Sequence, residues 1–224
     1  MCNEVARRIA LGELRHDWSQ LKIPLRFPEG APNMAPLASI RITDPTVIIR
    51  AARDAVGGPI AGEAELVTRR WSWPMAGGPG AGRPLYNYRS EGRRFANTAT
   101  GGRCLVPVDG FYEFTAPTEP GQKRKTKWLF TPTPGGALDG AYLCIAGLWR
   151  ADAAVGEAFT LLTCAPGPDV APYHSRQVVL MPREHWGAWI AGEVDAADLI
   201  APAPAGSLAV AREPMATSAT SRVR

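Results

Sequence analysis

The second half of the chain is a succession of short β-like runs, and this pattern constrains the fold more than any other feature. The runs are about five to eight residues long, rich in β-branched and aromatic side chains, and cover residues 103–108, 111–115, 127–130, 142–149, 159–164 and 177–181. Glycines and prolines, 23 and 21 in number, supply turns between them. Strands and helices do not alternate regularly, which disfavours a parallel doubly wound sheet. We therefore predict an α+β fold with a largely antiparallel, barrel-like β-sheet and a few flanking helices.

The first half of the chain adds further elements. Apolar residues at spacings of three to five predict an amphipathic helix over 4–21, and strands are predicted at 46–49 and 63–73. The glycine-rich segment 77–82 is predicted to be a mobile loop, and a short helix is expected at 183–190, directly after Pro182. We expect one domain over residues 1–200, followed by a C-terminal extension over 201–224 that ends in a flexible tail.

Composition excludes several classes of protein. With 46% hydrophobic and 21% charged residues, the chain does not have the composition of a disordered protein. It contains no apolar run of the length that a membrane helix needs, and its N-terminus lacks the layout of a secretory signal, so we expect a cytoplasmic protein. The net charge of +4 is compatible with a phosphate-bearing partner but does not demonstrate one.

The four cysteines, at positions 2, 104, 144 and 164, do not form a recognisable metal or disulfide framework. They show no CxxC spacing, and three of them lie within apolar runs. We therefore expect no metal and no cofactor, and we interpret Cys104, Cys144 and Cys164 as small buried apolar residues.

Cys2 differs because it follows the initiator methionine directly. Cytosolic aminopeptidases remove Met1 when the second residue is small, which would leave an amine and a thiol on adjacent carbons. Both groups are partly available at neutral pH. Such an aminothiol can form an imine with an aldehyde and then close a thiazolidine ring through sulfur. The alternative is that Cys2 is an ordinary residue of a frayed terminus.

Several further motifs accompany the Met-Cys start. They are NMAP at 33–36, YNYRSE at 86–91, RCLVPVDGFYEF at 103–114, AGLW at 146–149, FTLLT at 159–163 and HSR at 174–176. In this order, and over about residues 1–200, they resemble the SOS-response-associated peptidase family. Members of that family process abasic sites and link covalently to DNA through their N-terminal cysteine. The segment at 103–114 is the most specific part of the resemblance.

The resemblance implies a set of catalytic residues. Cys2 is the expected nucleophile, Asn87 positions the reactive group, and Glu113 and His174 are acid-base residues. These residue types suit an aldehyde condensation, because a histidine can transfer protons near pH 7 and a glutamate can exchange a proton with the α-amine. Without the motifs, Glu113 could be an outward-facing strand residue and His174 a surface histidine.

A second set of residues is expected to bind DNA. The resemblance implies that Arg89 holds a phosphate, and Phe114 could stack on a base; Arg176, Arg70 and Trp71 complete the predicted set. For Trp71 the alternative is a place in the core. The basic run at 122–127 could follow a DNA backbone, or it could be an ordinary solvated loop. The expected partner is single-stranded DNA with abasic sites, bound by a monomer.

The chain departs from the family pattern at several positions. Asn3 and Glu4 replace a glycine and an arginine, so a positive charge beside the reactive terminus is missing. Tyr88 replaces an alanine, Phe114 a tryptophan, and Ser175 an aspartate, so Ser175 cannot supply the usual carboxylate. The missing arginine at position 4 puts phosphate binding beside the reactive terminus in doubt.

Three functions remain open on the sequence. The first is covalent crosslinking to abasic sites in single-stranded DNA through a thiazolidine at Cys2, after removal of Met1 by an aminopeptidase or by the protein itself. The second is a thiol peptidase that acts on other proteins, and the third is a non-catalytic binder of single-stranded DNA. The joint presence of Cys2, Asn87, Glu113 and His174 argues against the third.

Overall fold

The computed structural model describes residues 2–77, 81–119 and 121–214. The strands, in chain order, are β1 (Glu4–Arg7), β2 (Leu25–Arg26), β3 (Leu37–Arg41), β4 (Pro45–Arg53), β5 (Pro59–Trp71), β6 (Trp73–Pro74), β7 (Pro84–Leu85), β8 (Asn87–Arg89), β9 (Gly101–Val108), β10 (Gly110–Thr115), β11 (Thr126–Pro132), β12 (Leu143–Asp152), β13 (Gly156–Cys164), β14 (Gln177–Val178) and β15 (Leu208–Arg212). The α-helices are α1 (Leu11–Gln20), α2 (Trp186–Ala191) and α3 (Ala196–Leu199), and a 3₁₀ turn at Arg183–His185 precedes α2.

One sheet carries the beginning of the chain in its interior. Its five strands run in the order β15-β11-β10-β1-β3, and every neighbouring pair is antiparallel. Val5 in β1 pairs with Phe111 on one side and with Ile40 on the other. The segment that follows Cys2 is therefore a central strand, anchored on both edges.

The second sheet is larger and bends round toward itself. Its path is β14-β13-β12-β9-β4-β5-β2, and a further parallel pairing joins β13 to β5. That pairing involves only two residue pairs, so the sheet is ring-like without closing into a true barrel. A small two-stranded sheet, β6-β7, lies beside it. The α+β prediction with a largely antiparallel, barrel-like sheet is confirmed.

Two apolar clusters fill the interior. One includes Cys2, Val5 and Phe111 and packs between the two sheets. The other packs α1 and α2 against the larger sheet, with Trp18 stacked on Trp186 at 5.8 Å between ring centroids. Cys104, Cys144 and Cys164 are free and buried within these clusters, which confirms their prediction as apolar residues.

The Asp109–Gly110 turn fixes the N-terminal strand in place. The Asp109 carboxylate accepts hydrogen bonds from the backbone N–H groups of Arg8 and Ile9, and the Asp109 N–H donates to the carbonyl of Ala6. A Cβ at position 110 would lie 2.6 Å from the carbonyl oxygen of Phe130, so only glycine allows β10 and β11 to approach here. This part of the motif at 103–114 thus positions the residues near the chain start.

Several predicted elements differ from the structure. The helix expected over 4–21 is wrong in its first part, because Glu4–Arg7 pair as a strand and the helix begins only at Leu11. Ladder bonds to two distant strands outweigh the local apolar spacing there. The strand expected at 177–181 is shorter, with Gln177–Val178 paired. The short helix after Pro182 is confirmed, whereas Leu208–Arg212 is a strand that the sequence analysis did not predict.

Two observations complete the fold. Within the described part of the chain, no helix is both long and apolar enough to cross a membrane. The mobility predicted for segment 77–82 falls largely on residues 78–80, which lie outside the described residues, as do residues 215–224 of the predicted tail.

Candidate functional site

The site is built around Cys2, whose side chain is only 1% exposed and belongs to the core cluster between the sheets. Its thiol donates a hydrogen bond to the carbonyl of Glu4 at 3.4 Å. Burial raises the pKa of the thiol well above its usual range, and the neighbouring Glu113 carboxylate adds to this effect. Cys2 is therefore held as a neutral thiol, and any reaction at sulfur needs a base that removes its proton as the new bond forms.

Glu113 is the base best placed for that task. It lies in β10 and is 1% exposed, and its carboxylate accepts a hydrogen bond from the backbone N–H of Cys2. Burial raises the pKa of Glu113 to about 7, against the lowering effects of the amino-terminal charge and the Cys2 hydrogen bond. The nitrogen that Glu113 contacts would become the free α-amine once Met1 is removed. Near neutral pH this carboxyl can both take and return a proton.

Asn87 holds the other side of Cys2. Its Nδ2 donates to the Cys2 carbonyl oxygen at 2.7 Å, and its Oδ1 is buried without a hydrogen-bond partner among the described residues. The parallel pairing of β8 with β13 sets Asn87 opposite Leu161, a residue of the same core cluster as Cys2. Asn87 therefore fixes the carbonyl of Cys2 and offers a free amide oxygen inside the site.

His174 lies in the loop before β14 and is half-buried. Its Nδ1 lies 3.0 Å from the backbone nitrogen of Arg176 and 3.1 Å from the Arg176 carbonyl oxygen, so it accepts from the one or donates to the other according to the tautomer. Burial lowers the pKa of His174, and the positive charge at the amino terminus lowers it further. A neutral ring with a proton on Nε2 can donate that proton to a departing oxygen.

Glu91 and Arg176 brace the His174 loop against the end of β8. Their side chains form a two-fold ion pair, and Nη2 of Arg176 also donates to the Thr163 carbonyl at 2.8 Å. The Arg176 guanidinium is thus already occupied, which favours a positioning role over the predicted phosphate contact. Glu91 was missed by sequence reasoning, although it is the last residue of the YNYRSE motif.

The other predicted DNA-binding residues differ in accessibility. Arg89 is exposed at the end of β8 and makes no ion pair within the described ranges, and Phe114 is half-buried at the end of β10. Arg70 is half-buried and donates to the Thr43 carbonyl at 3.1 Å. Trp71 is fully buried, so its assignment is corrected from DNA contact to core packing.

The core role of Trp71 has a clear structural cause. Its ring stacks on Phe159 at 6.3 Å, and its indole N–H donates to the Tyr86 carbonyl at 2.9 Å. That hydrogen bond holds the chain immediately before Asn87. Trp71 therefore supports the site from within the core and presents no face on which a base could stack.

Two of the residues that depart from the family pattern, Glu4 and Tyr88, have defined partners in the structure. Glu4 is buried and accepts hydrogen bonds from Lys127 Nζ at 2.7 Å and from Ser39 Oγ at 2.6 Å. Its charge is thus neutralised by a lysine from β11. Tyr88 packs edge-on against Phe95, and the guanidinium of Arg93 lies over its ring at 4.8 Å. Ser175 is exposed, and nothing in the structure explains its substitution for the usual aspartate.

Metal ligands are not grouped in this site or elsewhere within residues 2–77, 81–119 and 121–214, where no three His, Cys, Asp or Glu side chains are arranged to hold a metal ion.

Comparison with known proteins places this geometry in context. A family model described as SOS response associated peptidase (SRAP) matches residues 1–215. A phage-related protein from Bordetella bronchiseptica has a similar structure, with a TM-score of 0.66, 19% sequence identity, and coverage of 96% of this chain and 95% of that one. A protein from Bacteroides thetaiotaomicron is similar with a TM-score of 0.62, 13% identity, and coverage of 94% and 91%. At these identities the two structures show the fold alone, and no curated protein matches the chain.

Proposed function

Because the chain belongs to the SOS response associated peptidase family, we propose that it crosslinks covalently to abasic sites in single-stranded DNA. Membership of the family supports a peptidase-like function associated with DNA damage. The observation that carries the finer proposal is the contact between the Glu113 carboxylate and the backbone nitrogen of Cys2. The same cysteine is held by Asn87 at its carbonyl. The nitrogen and sulfur of one residue are thereby kept beside a base.

The reaction begins once Met1 is removed, by an aminopeptidase or by hydrolysis in the protein's own site. The free α-amine of Cys2 then attacks the aldehyde carbon of the ring-opened abasic sugar. Glu113 accepts the proton that the nitrogen loses and returns it to the former carbonyl oxygen, so that a neutral carbinolamine forms. His174 donates the Nε2 proton to the departing hydroxyl and recovers a proton, by way of solvent, from the nitrogen, so that water leaves and an imine remains.

Ring closure uses the sulfur of the same residue. The buried thiol gives its proton to Glu113 as sulfur attacks the imine carbon, and Glu113 passes that proton on to the imine nitrogen. The product is a thiazolidine, and the whole sequence releases one water molecule. Because the proton leaves while the carbon–sulfur bond forms, the raised pKa of the thiol does not prevent the step.

That raised pKa bears on the alternative of a thiol peptidase that acts on other proteins. Such an enzyme uses a thiolate that is accessible to a peptide, and low-pKa cysteines are typical of it. Cys2 is buried and neutral instead. The geometry therefore favours a small aldehyde as the electrophile over a protein chain.

The direct test is the intact mass of the purified protein before and after incubation with an abasic oligonucleotide. We expect a starting mass without Met1, and a product that gains the oligonucleotide less one water. An oligonucleotide with a tetrahydrofuran analogue, which has no aldehyde, is the control and should give no adduct. Absence of the adduct with the true abasic site would refute the proposal.

Replacement of His174 should affect the reaction more than binding. We expect His174→Ala to slow crosslinking or its reversal by about 10²–10⁴-fold, because it removes the proton donor for the departing oxygen. Affinity for undamaged single strands should stay nearly unchanged. Single-turnover rates and equilibrium binding, measured side by side, separate the two effects. A large loss of binding to undamaged strands would show a structural role.

Arg89 is proposed to hold one phosphate. Arg89→Ala should weaken binding of single strands without sequence preference, and it should lower the slope of log affinity against log salt by about 0.7. Binding titrations at several salt concentrations measure this slope. Equal slopes for parent and variant would remove Arg89 from that role.

A further inference from the structure

A basic loop connects β10 to β11 beside the site, and none of its cations belongs to the residues assigned above. Lys123, Arg124 and Lys125 are exposed, and none of them forms an ion pair with the part of the chain that the structure describes. The cations on the flanking strands are different, since Lys127 pairs with Glu4 and Arg212 with Glu119. Unpaired positive charge is thus concentrated at the end of this hairpin.

The hairpin places these charges close to the reacting groups. In its register, Glu113 pairs with Trp128, and Thr115 with Thr126. β10 ends at Thr115, so the loop begins three residues beyond Glu113, about 10 Å along an extended strand, and Lys125 directly precedes Thr126, the partner of Thr115. Phosphates of a strand whose sugar reacts at Cys2 would lie within a few nucleotides of the loop.

A second contact connects the hairpin to the His174 loop. The rings of Trp128 and Tyr173 meet edge to face at 4.9 Å between centroids, directly before His174 in the chain. Burial is the main cause that lowers the pKa of His174, and the charge of Lys125 acts in the same direction. The basic loop is therefore close enough to act electrostatically on the site.

Hydrogen bonds give the loop a defined shape. Gln122 Nε2 donates to the Arg124 carbonyl at 2.6 Å and to Thr126 Oγ1 at 3.0 Å. The ion pair between Arg212 and Glu119 ties the other end of the loop to β15. A loop held in this way presents its charges with less loss of conformational entropy on binding.

We propose that Lys123, Arg124 and Lys125 form a second phosphate-binding surface for the single-stranded DNA that flanks the abasic nucleotide. This proposal rests on the proposed function. Arg89 approaches the site on β8 of the larger sheet, next to Asn87, whereas the loop approaches it on the smaller sheet, next to Glu113. The two cationic groups thus contact different phosphates of one strand. The three cations recognise the backbone and not the bases, so binding there is independent of sequence.

The test uses a triple variant, Lys123→Gln, Arg124→Gln and Lys125→Gln, with undamaged single-stranded DNA at several salt concentrations. If each cation contacts one phosphate, the salt slope should fall by about 2, and affinity near physiological salt by about 10–100-fold. The crosslinking rate at saturating abasic DNA should stay within about twofold of the parent at pH 8, because the loop touches no reacting atom and His174 is neutral at that pH with or without the charge of Lys125.

A matched control removes three charges elsewhere. Arg15, Lys22 and Arg26 lie on α1, the residues after it and β2, and are exposed; of the three, Arg26 forms an ion pair, with Glu63. Their replacement by glutamine should leave the salt slope near that of the parent. An unchanged slope in the loop variant, or an equal fall in the control, would overturn the proposal. Failure of the parent to crosslink abasic DNA would instead refute the proposed function, since the salt slopes with undamaged DNA are measured independently of the adduct.

Discussion

Cys2→Ser should abolish the stable adduct with abasic DNA and leave only a reversible imine that borohydride traps. Serine keeps the α-amine, and it is small enough for Met1 to be removed. Its oxygen closes the analogous five-membered ring less favourably than sulfur does. Cys2→Ala should behave in the same way. Denaturing gels, run with and without borohydride, measure the two kinds of adduct.

The other cysteines are the controls for this experiment. Cys164→Ala and Cys104→Ala should still give the borohydride-independent adduct if they fold, since both thiols lie outside the contacts of Glu113 and Asn87. A heat-stable adduct from Cys2→Ala, equal in yield to that of the parent, would refute the proposed ring closure through the Cys2 sulfur. So would an active protein that keeps Met1 throughout the reaction.

Glu113→Gln should slow adduct formation by about 10²–10⁴-fold and change its pH dependence. In the parent, the pKa of Glu113 is raised to about 7, so the base form is depleted below that pH. The rate should rise with pH through this region, and the glutamine variant should lack this rise. Single-turnover rates between about pH 5.5 and 8.5, roughly one and a half units either side of that pKa, measure the effect. A parent-like rate at pH 8 would remove Glu113 from the mechanism.

Although Glu113→Gln should slow the reaction, it should stabilise the folded protein above pH 7. Because folding raises the pKa of Glu113, the folded state binds this proton more tightly than the unfolded state does. This difference in proton binding adds to the free energy of unfolding at pH values below the ordinary pKa of a glutamate, and the addition is lost as the pH rises toward 7. Above pH 7 the parent holds a buried carboxylate, which the neutral amide replaces. We therefore expect a higher melting temperature for Glu113→Gln than for the parent at pH 8.

Glu119→Gln is the matched control for Glu113→Gln. It makes the same change of charge at an exposed carboxylate that pairs with Arg212. Its reaction rate should equal that of the parent at every pH, and its melting temperature should change little. A common response of the two variants would mean that net charge, and not the buried carboxyl, controls the reaction.

The β-rich architecture could be predicted from the sequence because the apolar runs lie in strands that are buried on both faces, as in β9 and β12. The prediction failed at residues 4–7, where the strand forms only through pairing with segments about 35 and 105 positions away. The four residues proposed to be catalytic were named from their motifs. The contacts of Cys2 with Asn87 and Glu113 depend on the tertiary fold, since Asn87 reaches Cys2 from a different sheet.

It was harder to predict which side chains of the predicted DNA-binding set are exposed than to name the residue types that such a set contains. The pattern at 69–73 combines arginines with tryptophans, which is equally typical of a DNA-binding strand and of a core strand edged by cations. Only the packing of Trp71 on Phe159 distinguishes them. Likewise, the motif containing Arg176 does not reveal that its guanidinium is taken up by Glu91.

The burial of the Cys2 thiol also determines how fast this residue reacts with oxidants. Peroxides and alkylating reagents attack the thiolate, and their rate follows its population and its access to solvent. The sulfur of Cys2 is neutral and the residue is 1% exposed, so both its thiolate population and its access to solvent are low. Oxidising conditions also damage bases and so generate abasic sites. The proposed nucleophile can therefore stay reduced under the same chemical stress that creates the proposed substrate, and iodoacetamide should label it slowly until the protein is unfolded.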